Sequence, residues 1–127
     1  MSETAQPPLS VLVVEDDDLV REATVGSIMD LGYRVLEAAD ADAALRVLEG
    51  EPAVDVLFTD VRLPGKSGEQ LAHEAWQRRP DLKVIFTSGG QAPDQPTDAA
   101  GIAVWLGKPY KWVDLQRAFE QLYDRRA

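Results

Sequence analysis

Short apolar runs alternate along this chain with longer stretches whose apolar residues recur at helical spacing. Residues 11–14 are dense in β-branched side chains and have no polar alternation, which is typical of a strand buried on both faces. Similar runs occupy residues 54–59, 83–87 and 103–106, and a weaker one lies at 34–38. The pattern therefore predicts five strands.

The stretches between these runs predict helices. The first helix is expected to be capped by Asp18 and to end at Gly32. Apolar stripes with helical periodicity also cover residues 41–48, 69–78 and 115–122. Strands that alternate with helices predict right-handed crossovers and an α/β fold, a three-layer αβα sandwich around a parallel sheet.

One segment departs from this alternation. A helix is expected between the fourth and fifth strands, but residues 89–101 read GGQAPDQPTDAAG. Pro93 and Pro96 each disfavour a helix interior by about 3 kcal/mol. We therefore expect this fourth crossover helix to be short or disordered, with at most one helical turn over residues 97–100.

Size and charge narrow the possible functions. With 127 residues the chain is long enough for one domain, which we place at residues 10–127 after a flexible leader at 1–9. The net charge of −9 argues against direct nucleic-acid binding, and the lack of cysteine excludes thiol chemistry within the chain. No apolar run approaches the ~20 residues of a membrane span, and no signal sequence is visible, so a cytoplasmic protein is expected.

Polar residues stand where four of the predicted strands end. These are Glu15 and Asp16, Asp60, Ser88 and Lys108. Because the carboxyl ends of parallel strands open on one edge of a sheet, these side chains are expected to share a pocket. Two carboxylates ~4 Å apart repel by about 4 kcal/mol at an effective dielectric constant of 20, so one of them keeps a proton or a cation joins them.

Hard oxygen ligands without histidine or thiolate favour Mg²⁺ as that cation. The ammonium of Lys108 would pair with Asp60 or with a phosphoryl group placed on it. Taken singly, these residues are also compatible with helix caps, a surface lysine and an ordinary turn serine. Their combination predicts a site for a metal ion and a phosphoryl group.

Four motifs together resemble the receiver domain of two-component response regulators. They are VLVVEDDD at residues 11–18, DVLFTDVRLPGKSG at 55–68, KVIFTSGG at 83–90 and AVWLGKPY at 103–110. The similarity runs over about residues 9–123. It implies a flavodoxin-like, five-stranded parallel sheet of order 2-1-3-4-5.

The resemblance also implies roles for single residues. Asp60 would accept a phosphoryl group from a histidine kinase or a histidine phosphotransfer protein. Asp16 would bind Mg²⁺ directly, with Glu15 assisting and Arg62 contributing its backbone carbonyl. Lys108 would contact the phosphoryl oxygens.

Two further residues would form the switch. Ser88 is expected to move towards the phosphoryl group, which frees space for the aromatic side chain of Trp105. Thr87 is a second hydroxyl at the same strand end. Counting from Val84 places Thr87 on the other side of the strand and favours Ser88.

The implied function is a phosphorylation-activated signalling switch that binds an unidentified downstream protein, with neither a membrane nor nucleic acid as a partner. We do not expect an enzyme. An aspartate-nucleophile phosphatase is the alternative, but such an enzyme requires a second acidic residue two positions after the nucleophile, where this chain has Arg62. A pseudo-receiver that is not phosphorylated is a further alternative. The irregular crossover would alter the surface that receivers use for dimers and outputs, and the chain is either a stand-alone protein or a domain of a hybrid kinase.

Overall fold

The computed structural model describes residues 9–50, 53–89 and 103–123. Its elements follow one another in the order β1 (Ser10–Val14), α1 (Asp18–Asp30), β2 (Arg34–Ala38), α2 (Ala41–Gly50), β3 (Val56–Asp60), α3 (Gly68–Arg78), β4 (Lys83–Ser88), β5 (Ala103–Gly107) and α4 (Trp112–Tyr123). The strands form a parallel sheet of order β2-β1-β3-β4-β5. The predicted fold class and strand order are confirmed.

The sheet is buried on both faces because successive strand residues point to opposite sides. Leu12, Leu57 and Phe86 pack on one face with the buried residues of α2 and α3. Val13 and Ile85 pack on the other face with those of α1 and α4. This burial explains why β1, β3 and β4 read as continuous apolar runs, and it confirms the three-layer arrangement.

The start of α1 corrects one prediction. The helix is capped by Asp17 and not by Asp18, because Asp17 keeps an extended backbone and its Oδ1 accepts from the amides of Leu19 and Val20 at 2.9 and 3.0 Å. Asp18 is already the first helical residue. The helix ends at Asp30, and Gly32 follows with a φ of 102°, a conformation that favours glycine.

Two predictions fall largely outside the described residues. The leader at 1–9 is described only at Leu9, and the proline-rich segment at 89–101 only at Gly89. Both stay predictions. Within the described ranges, no helix is long and apolar enough to cross a membrane.

Candidate functional site

Three carboxylates meet at one edge of the sheet. Asp60 is the last residue of β3, and Glu15 and Asp16 directly follow its neighbour β1, with Val14 of β1 opposite Thr59 of β3. One oxygen from each of the three carboxylates lies within 4.8 Å of the other two. Glu15 and Asp60 are only 6% and 8% exposed, whereas Asp16 is exposed to solvent. We call these three residues the acidic pocket, which the rule of convergent strand ends had predicted.

Lys108 bridges the two buried acids of this pocket. Its Nζ donates to Asp60 Oδ2 at 2.9 Å and to Glu15 Oε1 at 3.1 Å. The backbone at this point is held by the Lys108 amide, which donates to the Ser88 carbonyl at 2.8 Å, and a cis peptide bond leads into Pro109. The structure therefore pairs the predicted lysine with the predicted phosphoryl acceptor.

The charge state of Lys108 follows from these contacts. Burial by itself lowers the pKa of a lysine, but the hydrogen bonds to Asp60 and Glu15 outweigh it and raise the pKa of Lys108 above its ordinary value. The side chain is therefore a cation at neutral pH. It partly offsets the repulsion between two carboxylates that are mostly removed from water.

Backbone amides hold the remaining oxygens of the two buried acids. The Asp17 amide donates to Glu15 Oε2 at 3.1 Å, and the Arg62 amide donates to Asp60 Oδ1 at 3.3 Å. Asp16 makes no side-chain hydrogen bond or ion pair within the described part of the chain. Its solvent-facing carboxylate and the two fixed acids form a set of hard oxygen donors, which fits Mg²⁺ because that ion is held by a few carboxylates and keeps several waters. The predicted role of the Arg62 carbonyl stays a prediction.

The two predicted switch residues lie on one face of the sheet. The alternation along β4 places Ser88 on the same side as Phe86, and Phe86 stacks on Trp105 with ring centroids 4.6 Å apart. Thr87 lies on the opposite side and is only 1% exposed, while Ser88 is half-buried. The Nε1 of Trp105 is buried and has no acceptor among the described residues. This placement agrees with the count along the strand, and the choice of Ser88 over Thr87 as the switch hydroxyl stays a prediction.

Sequence reasoning missed three residues that shape the site. Arg21 of α1 donates to the Glu15 carbonyl at 2.8 Å. The hydroxyl groups of Tyr110 and Thr24 are 2.7 Å apart, which ties the loop after Lys108 to α1. Burial raises the pKa of Tyr110 above its ordinary value, although the hydrogen bond to Thr24 acts in the other direction. The only sequence signals were a threonine inside an apolar helical stripe and a tyrosine after the Lys-Pro pair.

Comparisons with known proteins agree with this arrangement. The family model for the response regulator receiver domain matches residues 11–120. The chain is 34% identical over 116 residues to the response regulator receiver protein CpdR of Brucella abortus, covering 88% of this chain and 94% of CpdR. It is 35% identical over 124 residues to the sensor kinase CckA of the same organism, covering 92% of this chain but only 13% of CckA.

Solved structures show the same fold. The receiver domain of the hybrid histidine kinase CckA has a TM-score of 0.74 at 33% identity, with 89% of this chain and 98% of that chain covered. The chemotaxis protein CheY4 of Vibrio cholerae has a TM-score of 0.83 at 24% identity, with coverages of 91% and 99%. The chain belongs to the receiver-domain family of response regulators, the signalling modules of two-component systems.

Proposed function

We propose that this receiver domain is a phosphorylation-activated switch in which Asp60 accepts a phosphoryl group from a histidine kinase or a histidine phosphotransfer protein. Receiver domains are mainly signalling modules, not enzymes. The observation that carries the proposal is the ion pair of 2.9 Å between Lys108 and Asp60 beside two further carboxylates. The likeness to a domain of a sensor kinase supports a phosphohistidine donor of this kind. We place the functional domain at residues 10–127.

In the proposed reaction, a carboxylate oxygen of Asp60 attacks the phosphorus of the phosphohistidine. The new O–P bond forms as the N–P bond breaks, and the electron pair leaves on the imidazole nitrogen. Lys108 neutralises the negative charge that spreads over the equatorial phosphoryl oxygens. The Arg62 amide and the Lys108 ammonium hold one carboxylate oxygen each, so the nucleophile is oriented before the donor arrives.

The acidic pocket and the Arg62 carbonyl would hold Mg²⁺ in this proposal. When bound, the metal ion supplies a second positive charge next to the transferred phosphoryl group. Asp16 is the most accessible of the three acids. Within the described residues its carboxylate has no hydrogen bond or ion pair that metal binding would have to break. Glu15 would have to give up its hydrogen bond to Lys108 in order to bind the metal ion, and the ammonium of Lys108 would then be available to the phosphoryl oxygens.

The output step would use Ser88 and Trp105. Phosphorylation adds up to −2 charge and three strong acceptors at Asp60. Ser88 would donate its hydroxyl to one of these oxygens, and Trp105 would move into the space that Ser88 leaves. The indole N–H of Trp105 has no acceptor in the described structure, so the ring is held there by apolar packing, including its stacking on Phe86, and not by a hydrogen bond among the described residues. A downstream protein would then read the changed surface.

Acetyl phosphate with Mg²⁺ tests the proposal directly. Intact mass spectrometry should show one added phosphoryl group that hydroxylamine removes, as expected for an acyl phosphate. Asp60→Asn should abolish it, while Asp81→Asn, which changes an exposed acid before β4, should leave it unchanged. No mass gain in the wild type would favour a pseudo-receiver, and steady multiple-turnover release of phosphate would favour a phosphatase.

A further inference from the structure

Arg21 of α1 connects three parts of the fold through three nitrogens. Its Nη1 donates to the backbone carbonyl of Glu15 at 2.8 Å, at the end of β1. Its Nη2 donates to Asp18 Oδ1 at 2.7 Å and its Nε to Glu37 Oε1 of β2 at 3.1 Å. The side chain is only 18% exposed. The planar guanidinium is therefore fixed by two carboxylates and directed at a single carbonyl group.

That carbonyl belongs to the peptide bond between Glu15 and Asp16. The direction of this peptide plane sets the direction in which both side chains leave the backbone. The carboxylate of Asp16 makes no hydrogen bond or ion pair within the described residues, so among these residues only the backbone directs it towards the pocket. On the other side of Glu15, the amide donates to the Ala38 carbonyl at 3.1 Å. The Ala38 contact and Arg21 together hold both peptide planes that flank Glu15.

We infer that Arg21 is a positioning residue for the metal site, which holds the Glu15 carbonyl so that the carboxylates of Glu15 and Asp16 converge on one divalent cation. The inference rests on the proposed function, since that function gives the acidic pocket its metal. Arg21 is also a positive charge, and a positive charge near the site disfavours a cation. Its two effects therefore act on the affinity for Mg²⁺ in opposite directions, which lets the sign of the change separate them.

The test is calorimetric titration of the full chain with Mg²⁺. Arg21→Met removes both the charge and the hydrogen bonds, and Arg21→Lys keeps the charge but not the three-way guanidinium contact. Arg21→Lys should bind Mg²⁺ about 10-fold more weakly than the wild type, at the low end of the range for groups that orient metal ligands. Arg21→Met should also bind more weakly, but by a smaller factor, because loss of its positive charge favours the cation. Arg46→Met is the matched control, because Arg46 is an exposed arginine of α2 without a hydrogen bond or ion pair in the described structure. The affinity of Arg46→Met for Mg²⁺ should not fall.

The outcomes are distinct. Tighter binding by folded Arg21→Met together with wild-type affinity of Arg21→Lys would show that only the charge matters and would overturn the inference. If Arg21→Met does not fold, as circular dichroism would reveal, Arg21→Lys decides: wild-type affinity overturns the inference and a loss of about 10-fold supports it. A wild type that binds no Mg²⁺ would overturn the metal site and the inference together. If the wild type binds Mg²⁺ and is phosphorylated by acetyl phosphate, but Arg21→Lys binds Mg²⁺ as tightly as the wild type, only the inference about Arg21 is overturned.

Discussion

Replacing Gly68 with alanine should destabilise the domain at the base of the acidic pocket. Gly68 is the first residue of α3, and its amide donates to the Val61 carbonyl at 2.8 Å. A Cβ at this position would overlap the carbonyl oxygen of Asp60 and lie 3.1 Å from Thr59 Oγ1. The helix can start this close to β3 only because residue 68 has no side chain.

The cost follows from what would have to move. Asp60 ends β3, which lies between β1 and β4 in the middle of the sheet, so its backbone cannot shift without disturbing two ladders. The start of α3 would have to move instead, although Leu71 and Ala72 are fully buried in the next turn. Forcing one methyl group into such a contact costs about 1–3 kcal/mol. Because the obstacle is backbone, we expect Gly68→Ala to fall in the upper half of that range.

Gly26→Ala is the matched control for this experiment. Gly26 lies within α1, and a Cβ there would meet nothing within 4 Å. The substitution should stabilise the fold by about 0.5–1 kcal/mol through helix propensity. Urea unfolding followed by circular dichroism gives both free energies of unfolding. If Gly68→Ala is as stable as the wild type, or gains stability as Gly26→Ala does, the steric argument is wrong.

Three further predictions concern polar side chains of the pocket, of the loop after β5 and of the segment before β2. Lys108→Met removes the cation between two buried carboxylates and should lower the free energy of unfolding by about 1–3 kcal/mol, and Mg²⁺ should restore part of this loss. If the variant and the wild type unfold at the same urea concentration, the proposed pairing is wrong. Tyr110→Phe and Thr24→Val each remove one side of a 2.7 Å hydrogen bond, so each should lower the free energy of unfolding by about 1 kcal/mol and the double variant by less than the sum. Strict additivity in this double-mutant cycle would mean that the two groups are not coupled. Burial raises the pKa of Tyr33 above the ordinary value of 10.0, so the stability it contributes is present below that pH and is lost as the pH rises through the raised value in the folded state. Ultraviolet titration should therefore show Tyr33 ionising later in the folded chain than in urea, and Tyr33→Phe should remove that late step.

Much of the fold was predictable because burial on both faces leaves a direct trace in the sequence. The observed β2, residues 34–38, agrees with the prediction at both ends, while β3 begins at Val56, two residues later than predicted. The cap of α1 was not predictable from residue type, because three consecutive aspartates are equally suited to it. The choice of Asp17 depends on where the chain leaves β1 and first turns helical, which is a property of the backbone path.

The residues of the site also divide into those that the sequence predicts and those that only the folded chain reveals. Asp16, Asp60 and Lys108 follow apolar runs, so a local pattern and one rule on parallel sheets bring them together. Gly68 reads as an ordinary turn glycine, and its close approach to Asp60 exists only after α3 has folded back on β3. The contact between Thr24 and Tyr110 spans 86 residues and belongs to no local pattern, so the sequence marks each residue as unusual but does not pair them.

These missed contacts point to α1 as the element that completes the pocket. Strands of five or six residues bring their ends to one edge, but they do not determine the loops that follow, and the metal and phosphoryl groups would bind at those loops. Arg21 and Thr24 lie three residues apart on α1 and therefore on one side of the helix. Arg21 holds the loop after β1, and Thr24 holds the loop after β5 through Tyr110. The loop of Glu15 and Asp16 and the loop of Lys108, which would act on one phosphoryl group in the proposed function, are thus held by the same helix, although they follow strands at separate places in the sheet.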